Sequence, residues 1–300
     1  MAEPRPMRVG LQQCTYSWPG GTAAIADGLA AIARNAERAR FASFWLMDHF
    51  FQIPGWGTPE RDPMLEAYTA LGFVAAKTER IALGTLVSGA IYRHPAVLVK
   101  AVTTLDVLSK GRAYLGVGAA WFEAEAKGLG IPFPERRDRF ALLEDTVRLA
   151  RHSWSDGGAM FVGRTLRAGS PYQTPAPLTR PHPPILIAGR GRDRTLGLVA
   201  RYADAWNIIA TPREGPDFLA RLRERCVAVG RDPSEIETTV LDAEDWRRDE
   251  DASYRWSPEW ELARLRQWRD VGFDHVIVNM PDAHDPAKLR AFGEVITALG

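Results

Sequence analysis

Eight short apolar runs alternate with eight stretches of helical periodicity along this chain, and few architectures accommodate that pattern. The runs lie at 8–12, 44–47, 81–87, 113–117, 185–188, 205–208, 237–241 and 276–279 and are rich in Val, Ile, Leu and aromatic residues. The stretches between and after them, 25–40, 64–78, 96–108, 139–151, 194–201, 216–229, 259–271 and 285–299, repeat their apolar residues at helical spacing. Strict alternation implies right-handed crossovers and a parallel sheet. Eight such units in 300 residues predict an α/β fold, a closed (β/α)8 TIM barrel forming a single domain over 1–300, with an open doubly wound sheet as the alternative. The extra length at about 154–184 reads as an insertion before the fifth strand. It holds a small hairpin at 160–166 and then a proline-stiffened approach from Pro171 to Pro184. A charged, Trp-containing segment at 242–258 has no assignment.

Charge excludes some functions. With 38 basic and 37 acidic residues the formal net charge is +1, which argues against nucleic acid as a partner. No run reaches the ~18 apolar residues of a membrane span, and the opening Met1–Pro6 stretch is not followed by a signal-type apolar core. Cys14 and Cys226 stand far apart, offering neither a disulfide framework nor a metal motif. A cytoplasmic protein without a metal is therefore expected.

In such a barrel the chemistry belongs at the C-terminal ends of the strands. The run at 44–47 stops at Asp48-His49, and an acid beside an imidazole just past a buried strand is costly unless something uses it. The plainer reading is a satisfied polar pair closing the strand. After the fourth strand comes Gly116-Val117-Gly118-Ala119-Ala120-Trp121, which permits close backbone approach by a ligand. After the fifth, Gly189-Arg190-Gly191-Arg192 leads into a helix opened by Asp193-Arg194. Free N–H groups at a helix start, with arginines nearby, make an anion site, although an ordinary turn with solvated arginines reads equally well. No Gly-x-Gly-x-x-Gly or Walker lysine begins here. The aromatics Phe50, Phe51, Trp56, Trp121 and Phe122 gather at these same ends, as a wall for a flat conjugated ligand or simply as core. The six histidines are scattered, and no acid pair or nucleophile of a hydrolase stands out.

Taken in order, Ser43–Phe51, Glu79–Gly84, Tyr92-Arg93-His94-Pro95, Thr103–Ser109, Leu115–Phe122, Glu135–Glu144 and His182–Arg194 resemble the luciferase-like flavin and deazaflavin oxidoreductases. Within them the chain is most similar to the oxidoreductases that use coenzyme F420. The resemblance implies a (β/α)8 barrel, usually a homodimer, that moves a hydride between the deazaflavin and a small substrate. It implies His49 acting next to the reacting carbon with Asp48 holding it, and a cis peptide at Leu86-Val87 behind the ring. It also implies Gly118, Ala119, Ala120 and Trp121 beside the cofactor, and Gly189, Arg190 and Gly191 around its phosphate. FMN is the alternative cofactor, in a monooxygenase, and a non-catalytic flavin- or deazaflavin-binding protein is the third reading. There are departures. Trp121 stands where the sugar-phosphate dehydrogenases of this group carry a catalytic glutamate, while Glu123 and Glu125 sit at other offsets; Arg40 and Ala42 replace the usual Gly and Asp.

Overall fold

The computed structural model describes residues 6–54, 59–155, 158–191, 193–242, 257–280 and 282–300. Gly55, Trp56, Arg192 and the unassigned stretch from 243 to 256 lie outside the described residues. In chain order the strands are β1 (Arg8–Gln13), β2 (Ser43–Leu46), β3 (Ala82–Thr85), β4 (Ser88–Gly89), β5 (Leu115–Gly118), β6 (Phe161–Val162), β7 (Arg167–Ala168), β8 (Ile185–Ala188), β9 (Ala205–Ala210), β10 (Glu237–Asp242) and β11 (His275–Asn279). The helices are α1 (Ile25–Arg38), α2 (Ala67–Ala75), α3 (Pro95–Leu108), α4 (Glu123–Gly128), α5 (Arg136–Ser155), α6 (Arg194–Tyr202), α7 (Gly215–Ala228), α8 (Pro258–Val271) and α9 (Pro286–Leu299).

The main sheet runs β3-β2-β1-β11-β10-β9-β8-β5-β4 with every pairing parallel. A parallel bridge between Leu83 and Ala113 joins its two ends, so the sheet closes as a barrel and the open-sheet alternative falls away. The predicted third strand is split into β3 and β4, and the Leu86-Val87 peptide between them is cis. Here β5 runs so close that a Cβ on Gly116 would lie 1.9 Å from the Thr85 carbonyl oxygen. Only glycine fits that approach. The inserted hairpin forms from β6 and β7, paired antiparallel through Phe161–Ala168 and Val162–Arg167.

Side chains alternate across each strand. Along β9, Trp206 and Ile208 face the helices and join the large outer core, whereas Ala205 and Ile209 point into the barrel. The lower interior is not wholly apolar. His275 lies 2.8 Å from Glu237 through Nδ1 and 2.9 Å from Ser43 Oγ through Nε2. Trp45 Nε1 donates to the same Ser43 Oγ at 2.6 Å, and Arg8 pairs with Glu237. Burial holds His275 neutral, below its ordinary value. Burial also works against charge on Glu237, but His275 and Arg8 outweigh it and bring its carboxyl down to about 2. This polar plug leaves the opposite, C-terminal end of the barrel for a site.

The helices that differ most from the sequence reading are α2 and α5. α2 starts later than predicted because Glu66, held in an extended conformation, caps it by accepting from the Thr69 amide at 2.6 Å, and it ends at Ala75. α5 begins one turn earlier than predicted, at Arg136. The short α4 has no counterpart among the predicted helices; six residues give too little periodicity to see.

Candidate active site

At the C-terminal rim a cleft of about 460 Å³ brings together His49, Leu86, Val87, Gly118, Ala119, Ala120, Trp121, Gly189, Arg190 and Gly191. They come from the ends of four strands, β2, β3, β5 and β8. A shallower depression of about 650 Å³ between α1 and α9 contains none of these residues and no strand end.

Asp48 is the predicted site residue that the structure places elsewhere. It is fully buried and faces Arg93, which donates to its carboxylate from both terminal nitrogens, one contact at 2.9 Å. Arg93 also pairs with Glu66 and lies over the Tyr68 ring. The expectation that Asp48 would hold His49 is therefore corrected. The two side chains take different partners, Arg93 for Asp48 and Glu125 for His49.

The acid beside His49 comes from α4. His49 Nδ1 sits 2.8 Å from Glu125 Oε2, and Tyr92 donates its hydroxyl to that same oxygen. The other oxygen accepts the Phe50 and Phe51 amides at 2.6 and 2.9 Å. Glu125 thus ties the loop after β2 to the loop after β5. Burial works against its charge, but the hydrogen bonds from His49, Tyr92 and the Phe51 amide prevail and keep its carboxyl below the usual range. Burial, reinforced by Glu125, pushes the Tyr92 hydroxyl above its ordinary value. Trp121, in the position expected to lack a useful acid, stacks on Phe122 at 5.3 Å, and each of these rings stands 5.9 Å from the His49 ring. Sequence reasoning assigned no role to Glu125 or Tyr92. Their only signal was nearness to motifs already noticed.

Leu86 and Val87 are held from both sides. Gln12 Nε2 donates to the Leu86 carbonyl at 3.1 Å, while Thr85 Oγ1 donates to the Gly116 carbonyl and lies 3.0 Å from Ser88 Oγ. Across the cleft, Gly189 has φ of +137° and a Cβ on Gly191 would lie 2.6 Å from Thr195 Oγ1. The following α6 starts without a capping side chain, because Asp193 pairs with Arg225 instead. The Leu196 amide bonds the Gly191 carbonyl at 3.3 Å, and the N–H groups of Arg194 and Thr195 ahead of it are left for an incoming acceptor. Arg190 departs from expectation, since its charge is taken by Glu214 at 2.5 Å. Side chains at Gly189 and Gly191 would fill this cradle, so a phosphate-bearing flat cofactor fits the residues present. Among the described residues no cluster of His, Cys, Asp and Glu is suited to a metal ion.

The sequence profile of the luciferase-like monooxygenases matches residues 7–288. The chain belongs to that family. It is 30% identical over 298 residues to the F420-dependent glucose-6-phosphate dehydrogenase of Kineococcus radiotolerans, covering 97% of this chain and 80% of that one. Among solved structures, an F420-dependent secondary alcohol dehydrogenase in complex with an F420-acetone adduct superposes with a TM-score of 0.79. It is 19% identical, and the match covers 98% of this chain and 99% of that one. The monooxygenase RslO1 from Streptomyces bottropensis gives 0.78 at 20% identity, covering 97% and 99%. At those identities the structural likeness carries the fold, which serves both kinds of chemistry. No helix among the described residues is long and apolar enough to cross a membrane.

Proposed function

We propose that this family member is an F420-dependent oxidoreductase that transfers a hydride between the deazaflavin and a small organic substrate, with His49 moving the accompanying proton. The observation that carries the reading is the single cleft that joins the His49–Glu125 pair to the glycine cradle at Gly189–Gly191. Leu86, Val87, Gly118, Ala119, Ala120 and Trp121 would line the ring and side chain of the cofactor, and Gly189 and Gly191 its phosphate, with Arg190 contributing its backbone. Bound F420 supplies hydride chemistry at its ring.

The protein supplies orientation and proton handling. Glu125 accepts from Nδ1 of His49 and leaves Nε2 as the ring atom that can face a substrate oxygen. In that state Nε2 takes a proton from an alcohol being oxidised, and the protonated ring returns one to a carbonyl being reduced. Asp48 acts at one remove, by holding Arg93 under the loop. The apolar Met47, Ile53 and Leu241 in the cleft wall exclude water from the reacting atoms.

The test is ultraviolet-visible titration of the purified protein with F420 and with FMN. F420 binding at micromolar strength and weaker FMN binding are expected; the reverse order would move the protein to flavin chemistry. The chain acts in the cytoplasm, in keeping with free Cys14 and Cys226. It acts as a homodimer, a reading supported by exposed Val97 and Leu108 on α3. Light scattering that returned a monomer at every concentration would remove the dimer.

A further inference from the structure

The cleft continues past the glycine cradle to a wall of arginines that nothing described so far requires. Arg136 and Arg139 stand one turn apart on the first turn of α5, hence on one helix face, and both line the cleft. Arg136 lies over the Phe140 ring at 5.7 Å, and Arg194, from the first turn of α6, approaches the same ring at 6.0 Å. One aromatic side chain thus gathers a guanidinium from each of two helices. Among the described residues none of these three arginines has a carboxylate within 4.0 Å, whereas Arg190, Arg201 and Arg225 nearby each have one. Three guanidinium groups without a carboxylate partner, brought to one cleft mouth, make a local positive field.

Arg139 is fixed before any ligand arrives. It donates to the Ala119 carbonyl at 3.2 Å and to the Pro134 carbonyl at 2.7 Å, and stacks over Phe133 at 4.0 Å. Those bonds use two of the five guanidinium donors and leave its charge uncompensated. A planar fork already ordered loses little freedom on meeting a carboxylate or phosphate. The neighbouring acid Asp138 is committed to Arg137 at 3.1 Å.

We infer that Arg136, Arg139 and Arg194 form a binding site for the carboxylate-bearing tail of F420, beyond the phosphate held at Gly189–Gly191. The inference rests on the F420 reading above. F420 carries glutamyl carboxylates past its phosphate, and FMN ends at the phosphate. The wall therefore gives the site a reason to prefer the deazaflavin that the ring pocket alone does not provide. Because Arg136 and Arg194 are exposed, their removal leaves the core untouched.

The deciding experiment is fluorescence titration of the parent and of the double variant Arg136→Gln/Arg194→Gln. The probes are F420 with a multi-glutamate tail, F420 with its glutamates removed, and FMN, each at low and high salt. The double variant is expected to bind the long-tailed form about tenfold more weakly and the other two within twofold of the parent, with a flatter salt dependence for the long-tailed form. Arg139→Lys keeps the charge but loses the fork, and is expected to fall between parent and double variant. Equal weakening for all three probes would assign the arginines to the phosphate and overturn the tail site, as would unchanged affinity for the long-tailed form. A parent that binds FMN and no deazaflavin would overturn the F420 reading itself, a distinct result.

Discussion

His49 Nδ1 lies 2.8 Å from Glu125 Oε2, although the two residues are 76 positions apart in the chain. The same carboxylate holds the Phe50 and Phe51 amides and receives the Tyr92 hydroxyl. A buried carboxylate so engaged orients the imidazole and favours its charged form when a proton is taken up. Glu125 does not line the cleft and acts through His49, so it is a positioning residue.

Glu125→Gln keeps a carbonyl oxygen for the two amides but cannot offer a second acceptor to His49. Turnover is expected to fall by about 10–100-fold, the scale on which such supporting partners act, with F420 affinity changed less than threefold. Glu125→Asp should recover part of the loss. A variant with parental kcat and a parental pH profile would reduce Glu125 to a loop tie.

His49→Ala removes the proton carrier itself. Turnover is expected to drop by roughly 10²–10⁴-fold, the usual range for a positioned acid or base. Cofactor affinity should change much less, since the phosphate cradle is on another strand. Single-turnover oxidation of reduced F420 with a competent acceptor is the measurement. A rate within threefold of the parent would mean that His49 only shapes the pocket.

Gly191→Val puts branched carbon where a Cβ alone would meet Thr195 Oγ1 at 2.6 Å. Cofactor affinity is expected to fall by about tenfold or more, equivalent to ~1.4 kcal/mol for each factor of ten. Absorbance titration reads this directly. Parental affinity in a folded variant would send the phosphate elsewhere.

The barrel plug makes stability depend on pH. Glu237, brought to about 2 in the fold, binds a proton more readily when unfolded. Its contribution is therefore complete above its ordinary value near 4.5 and is lost as pH falls toward 2, on the order of 3 kcal/mol in all. His275, held neutral by burial, acts in the same direction. Below its ordinary value of 6.5 the unfolded chain takes up a proton that the folded chain resists, so stability begins to erode there. Denaturant midpoints across pH 4–8 should fall on acidification, starting below about 6.5. Glu237→Gln should flatten the lower part of that curve; a variant with the parent's full slope would place the effect in other groups.

The barrel was legible in the amino-acid order because strand and helix write different periods into the apolar residues, and those periods are local. The order was also enough to locate the rim residues from Leu86 to Gly191, since glycine-rich and polar strand ends in a (β/α)8 barrel share one face. The acid that serves His49 was a different matter. Asp48 was its neighbour in sequence, yet its carboxylate is held by Arg93 from 45 positions away. Glu125 reached His49 only because barrel closure swings the loop after β5 toward the loop after β2. The plug of Ser43, Glu237 and His275 has the same origin, in three strands whose separation along the chain is large and across the barrel small. Pairings of that kind depend on how distant segments are brought together, and no local pattern records it.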